Sequence, residues 1–135
     1  MSENKYVEAN GLNMFYIEKG KGQPLILLHG GIGTAEFNWS KQIEFFSKDF
    51  RVLAIDSRGH GRTDNPTGEF SYKLMADDVA ALIKALNLEN PFVMGWSDGG
   101  QIVLEIGINY PDITKALVAG GILSENFHPK RTTPG

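Results

Sequence analysis

Apolar positions along this chain switch between two spacings. Residues Lys5–Ala9 and Leu12–Glu18 flank Asn10-Gly11, a dipeptide that accepts positive φ at both positions, and together they predict a β-hairpin. Pro24–Leu28, Arg51–Ile55 and Asn90–Met94 are near-continuous apolar runs, the pattern of strands buried on both faces. Helical spacing lies between them. Thr34 stands as an N-cap before Trp39, Ile43 and Phe46, and Ser71 caps a segment in which Met75, Val79, Leu82, Ile83 and Leu86 share one face. Gly99–Asn109 is apolar on most sides, which predicts a buried helix, and Pro111 ends it. Lys115–Ile122 predicts a last strand. Residues 56–70 are rich in Gly, Pro, Asn and Asp and read as a loop; residues 124–135 are polar and without period. A hairpin, strand-helix repeats and a final strand predict an α/β fold: a mostly parallel sheet of about six strands with helices on both faces.

The 135 residues are one domain's worth of chain. Thirteen basic and 16 acidic residues leave a net charge of −3 with no Lys/Arg cluster, so no nucleic-acid partner is expected. Without cysteine there is neither a disulfide framework nor a thiolate metal site. The start, Met1-Ser2-Glu3-Asn4-Lys5, lacks the form of a signal peptide, and no apolar run approaches the ~18 residues of a spanning helix. The expectation is a cytoplasmic protein with no membrane partner.

Chemistry concentrates at Gly95-Trp96-Ser97-Asp98-Gly99-Gly100, directly behind Phe92-Val93-Met94. A strand, then Gly-x-Ser-x-Gly, then a helix is the sequence form of a nucleophile elbow, with Ser97 as the nucleophile. The sharp turn lifts the hydroxyl above the sheet and strains the backbone by ~1–3 kcal/mol. Gly95 and Gly99 remove side chains that would collide there, and Gly100 lets the helix lie close to the strand. The helix start points free N–H groups toward the hydroxyl.

His29-Gly30-Gly31-Ile32-Gly33 follows another central strand, at the sheet end where open α/β folds bind ligands. Its glycines expose backbone N–H groups. We expect an oxyanion hole from the N–H of Gly31 and the N–H of Asp98. An ordinary Gly-rich connection is the plainer alternative; a phosphate loop lacks both Gly-Lys-Ser/Thr and Gly-x-Gly-x-x-Gly. His60, in Asp56-Ser57-Arg58-Gly59-His60-Gly61, is a candidate general base, but a loop histidine that fixes backbone is the expectation there and at His29. A metal held by His29, His60 and an aspartate has no support in the spacing; no metal or cofactor is expected.

These three segments, at these separations, resemble the α/β-hydrolase superfamily over about residues 5–123, and within it the esterase and lactonase-like branch that includes valacyclovir-hydrolase-like enzymes. The resemblance implies Ser97 as nucleophile and Gly31 and Asp98 as oxyanion donors; a serine here argues against the dehalogenase branch. It also implies a sheet that continues past a sixth strand, a cap inserted after that strand, a triad acid after the seventh and a histidine after the eighth. The sequence given reaches only Gly135. Asp98, Glu105, Asp112, Glu125 and His128 follow Ser97, and none stands in a recognisable triad motif. The expectation is an α/β-hydrolase fold truncated after the sixth strand: 1–123 as the N-terminal part of the core, 124–135 as a tail where a cap would begin. Its last strand would then be an exposed edge, open to self-association.

The functions that follow are a serine hydrolase cleaving a small carboxylic ester or related acyl substrate, a non-catalytic α/β binding module, or a cofactor-free peroxidase of the same fold. An Asp98 carboxylate beside the site would favour a substrate carrying a cationic amine. Without a base the serine is a poor nucleophile, so weak turnover of activated esters is expected.

Overall fold

The computed structural model describes residues 2–121; Met1, Ile122 and the tail containing His128 lie outside the described residues. Strands β1 (Glu3–Ala9) and β2 (Leu12–Lys19) form the expected hairpin, with Asn10 at φ 51° and Gly11 at φ 77°. Then come β3 (Gln23–Leu28), α1 (Ala35–Phe46), β4 (Phe50–Ile55), α2 (Tyr72–Ala85), β5 (Phe92–Trp96), α3 (Asp98–Asn109) and β6 (Ala116–Gly120). The sheet order is β1-β2-β4-β3-β5-β6. The hairpin joins antiparallel, and β4, β3, β5 and β6 run parallel. This is the mostly parallel six-stranded sheet expected, with β6 at one edge.

The pleat divides the core in two. Leu25 and Leu27 of β3 and Val52 and Ala54 of β4 pack with Ala35, Trp39 and Ile43 of α1. Their neighbours Ile26, Leu28, Leu53 and Ile55 face the other way, onto Met75, Val79 and Leu82 of α2 and Ile102, Val103 and Ile106 of α3. Both faces are therefore covered at the sheet's centre, as continuous apolar runs require. Cover thins toward β6, where Trp96 is 55% exposed and Val118 52%.

Both expected caps are present. Thr34 accepts the Phe37 N–H and Ser71 the Leu74 N–H. Several strand boundaries differ from expectation. The strand through Val93 begins at Phe92, because Asn90 sits at φ 46°, outside strand geometry, and it continues to Trp96, because Gly95 pairs with Leu28 and Trp96 with Gly120. The last strand ends at Gly120. Helix α3 is buried over Gly99–Val103 and at Ile106, but Ile108 is 73% exposed. The indole N–H of buried Trp39 has no partner among the described residues.

Candidate active site

Three loops meet where β3, β4 and β5 end. Ser97 is the turn between β5 and α3, at φ 57° and ψ −114°. Positive φ in a residue with a side chain is strained, and such strain persists only where surroundings enforce it. Here the Ser97 N–H donates to Gly120 O (2.8 Å), and Gln101 N–H donates to Ser97 O (3.1 Å). The two flanking glycines are required by space. A methyl on Gly99 would strike the Leu28 carbonyl oxygen, and one on Gly95 would strike Gly99's own carbonyl. The Ser97 side chain makes no cap hydrogen bond to the helix it begins.

The Gly30–Gly33 loop lies alongside. Asn38 of α1 accepts the Gly30 N–H (3.1 Å), and its side chain fills the space a Gly33 methyl would need. At Gly31 the corresponding space is filled by the Asp98 carboxylate. The structure thus brings Ser97, Asp98 and the Gly30–Gly33 loop together. Among the described residues neither the Gly31 nor the Asp98 N–H donates to a protein acceptor. The second Asp98 oxygen, Oδ1, accepts from the Tyr72 hydroxyl (2.7 Å), a partnership the sequence did not suggest.

Both histidines hold backbone. His29 is buried; Ser57 N–H donates to its Nε2 (2.9 Å), so its proton sits on Nδ1, against Gly30 O (2.6 Å). Burial pushes its pKa below the usual histidine range, partly offset by the hydrogen bond to Gly30. His60 sets Nδ1 against Arg58 O (2.9 Å) and Nε2 against Gly31 O (2.7 Å), so both ring nitrogens face backbone carbonyls of the loops. The two rings lie 5.2 Å apart, but their nitrogens serve the loops. The backbone-fixing role expected of His60 is what the geometry shows, with Gly31 as one of its contacts. His128 lies outside the described residues.

The loop after β4 is fixed by acids whose roles the sequence did not reveal. Asp56, buried, accepts the first N–H of α1 from Ala35 (2.7 Å) and the Arg62 N–H (2.9 Å). Arg58 forms a buried two-point pair with Asp78 of α2 (Nε–Oδ2 2.9 Å, Nη2–Oδ1 2.8 Å) and reaches Asn65 Oδ1 with Nη1 (2.9 Å). One signal was present. Asp78 interrupts the apolar face of α2, three residues after Met75 and four before Leu82, and a carboxylate there needs a buried cation. A groove of about 1150 Å³ lies at the opposite end of β5, and no elbow residue lines it.

A protein-family model for the alpha/beta hydrolase fold matches residues 23–134. The chain belongs to the α/β-hydrolase family. This α/β hydrolase is similar to 2-hydroxy-6-oxo-6-(2'-aminophenyl)hexa-2,4-dienoic acid hydrolase of Metapseudomonas resinovorans, with 36% identity over 127 residues, 89% of this chain and 44% of that protein. It is also similar to the human serine hydrolase BPHL, with 32% identity over 120 residues, 85% of this chain and 41% of that one. Among solved structures, a serine hydrolase involved in carbazole degradation (the CarC enzyme) superposes with a TM-score of 0.86 at 32% identity, over 91% of this chain and 49% of its own. The chain spans less than half the length of each of these relatives. Among the described residues, no helix is long and apolar enough to cross a membrane.

Proposed function

We propose that this α/β hydrolase chain carries the nucleophile and oxyanion site of a serine hydrolase acting on carboxylic esters or related acyl substrates. One observation carries the reading: a serine held at positive φ on a strand-to-helix turn, its hydroxyl making no cap bond to the helix it begins. In the proposed step Ser97 Oγ adds to the acyl carbon and loses its proton to a base. The carbonyl oxygen becomes an oxyanion received by the N–H groups of Gly31 and Asp98. Its collapse expels the leaving group, which takes up the proton, and leaves an acyl-Ser97 ester that water hydrolyses. Each oxyanion donor is worth about 2.7–4 kcal/mol in comparable sites. The names of the relatives support hydrolysis as the chemistry.

No histidine among the described residues contacts Ser97, so the reading for these 135 residues alone is slow acylation by activated substrates. We also propose that β6, the edge strand among the described residues, pairs with the β6 of a second copy. The test of the nucleophile is labelling of the 135-residue chain with a fluorophosphonate, read by intact mass, beside Ser97→Ala. One adduct per chain, lost in the variant, is expected. A folded chain that takes no label overturns the assignment.

A further inference from the structure

We propose that Tyr72 is a positioning residue for the elbow: its hydroxyl fixes the rotation of the Asp98 carboxylate, so that this group does not turn onto the N–H groups of Gly31 and Asp98. The inference rests on the serine-hydrolase reading of Ser97.

The residue after the nucleophile presents a difficulty that the geometry resolves. Its backbone N–H is offered to a developing oxyanion, yet its side chain is a carboxylate. No cation pairs with Asp98 among the described residues. One carboxylate oxygen, Oδ2, lies against Gly31, so close that a side chain there would collide with it. The other, Oδ1, accepts from Tyr72 Oη at 2.7 Å. Tyr72 is the first residue of α2, fixed by the Ser71 cap on the Leu74 N–H (2.9 Å), and it reaches Asp98 across 26 residues of sequence. The hydrogen bond to Asp98, then burial, raises the Tyr72 pKa above the usual tyrosine value, so the phenol stays a donor through the neutral range.

Hydrogen bonds to a charged acceptor are strong and directional. This one fixes the carboxylate's rotation and draws charge onto the oxygen turned toward α2. Without it, the carboxylate is free to turn and accept the Gly31 N–H, in competition with substrate oxygen. A carboxylate turned that way also brings its charge nearer the oxyanion, and at protein-like dielectric and a few ångströms the added repulsion corresponds to a rate factor of about ten. Tyr72 touches no reacting atom; it acts through Asp98.

The test uses the 135-residue chain with Tyr72→Phe, Asp98→Asn and both together. Rates of Ser97 labelling are measured with a neutral fluorophosphonate and with one bearing a quaternary ammonium arm. Tyrosine ionisation is followed by absorbance in the same proteins. We expect Tyr72→Phe to slow the neutral probe about tenfold and the cationic probe less. In the Asp98→Asn background the same substitution should change the neutral rate less than about twofold, since no charge remains to restrain. Equal slowing of both probes, or undiminished slowing in the Asp98→Asn background, would show a merely structural role and overturn the proposal. The ionisation data separate the two readings. A raised tyrosine titration that Asp98→Asn and Tyr72→Phe both abolish demonstrates the tie even if Ser97 takes no label, in which case the nucleophile assignment fails first. Absence of that titration overturns this inference alone.

Discussion

Replacing Asp78 by alanine removes the carboxylate that faces the Arg58 guanidinium, and both side chains are 3% exposed. Two charge-assisted hydrogen bonds go, and the remaining partners of Arg58 among the described residues, Asn65 and Thr67, are neutral. Asn10 Nδ2 loses its acceptor on Asp78 as well (2.8 Å). Breaking one side of a buried pair in this way costs about 3–5 kcal/mol, because the surviving charge stays desolvated and unmatched. A domain has only ~5–15 kcal/mol in total. With a urea slope of about 2 kcal/mol per molar, the unfolding midpoint should fall by roughly 1.5–2.5 M. The pair need not stabilise the fold by that amount. Arg58→Met with Asp78→Leu, which leaves no charge behind, should sit within about 1 kcal/mol of wild type or above it. Urea unfolding at neutral pH followed by far-ultraviolet circular dichroism, on wild type, Asp78→Ala, the single variants Arg58→Met and Asp78→Leu, and their double variant, measures both numbers. A midpoint loss under about 0.5 M for Asp78→Ala, or a double variant as unstable as the two single variants summed, would refute the argument.

Three further outcomes follow from the site and the edge. Gly99→Ala drives a methyl into the Leu28 carbonyl oxygen, backbone against backbone, so the start of α3 must shift and carry Ser97 with it; fluorophosphonate labelling should drop about a hundredfold, and an unchanged rate would show that the close packing of α3 on β3 is immaterial. His29 has a folded pKa below its unfolded value of 6.5, so the unfolded chain takes up the proton first. Its contribution is complete above pH 6.5 and declines as pH falls through that value toward the lowered folded pKa; melting temperatures of His29→Gln should show a flatter slope there, and parallel slopes would contradict the buried neutral imidazole. Val118→Lys places a charge on the exposed β6 edge; sedimentation of wild type should show mass rising with concentration while the variant stays monomeric, and a monomeric wild type would remove the case for edge pairing.

Much of this fold is written locally. Ile26, Leu28, Leu53 and Ile55 pack on one face of the sheet while Leu25, Leu27, Val52 and Ala54 pack on the other, and a run of apolar residues with no polar alternation announces that double burial. The Ser71 cap and the Asn10-Gly11 turn depend on residues three or fewer positions apart, so short windows contain them. The elbow is legible through its own motif: the demand on Gly95 comes from the Gly99 carbonyl within it, while that on Gly99 comes from Leu28 of the neighbouring strand. What spans distance is not legible in the same way. Asp56 caps a helix that begins 21 residues earlier, Arg58 finds Asp78 20 residues later, and Tyr72 finds Asp98 26 residues later. None of these pairs leaves a period in the sequence. Each depends on which strand ends the sheet order sets side by side, and that order places β4 between β2 and β3, out of chain sequence.

The chain has two tryptophans, and the fold sets both on one groove of about 270 Å³, between α1 and the end of β5, with Asn38 and Gln42 as the other lining residues. Trp39 is buried with its N–H unpaired among the described residues, and Trp96 is largely exposed. The intrinsic ultraviolet emission of this protein is therefore a local signal, made of one blue and one red emitter on the thinly covered side of the sheet. A polypeptide or small molecule settling beside β6 would be seen there directly, without a dye, while events at the far ends of α2 and α3 would leave the spectrum unmoved.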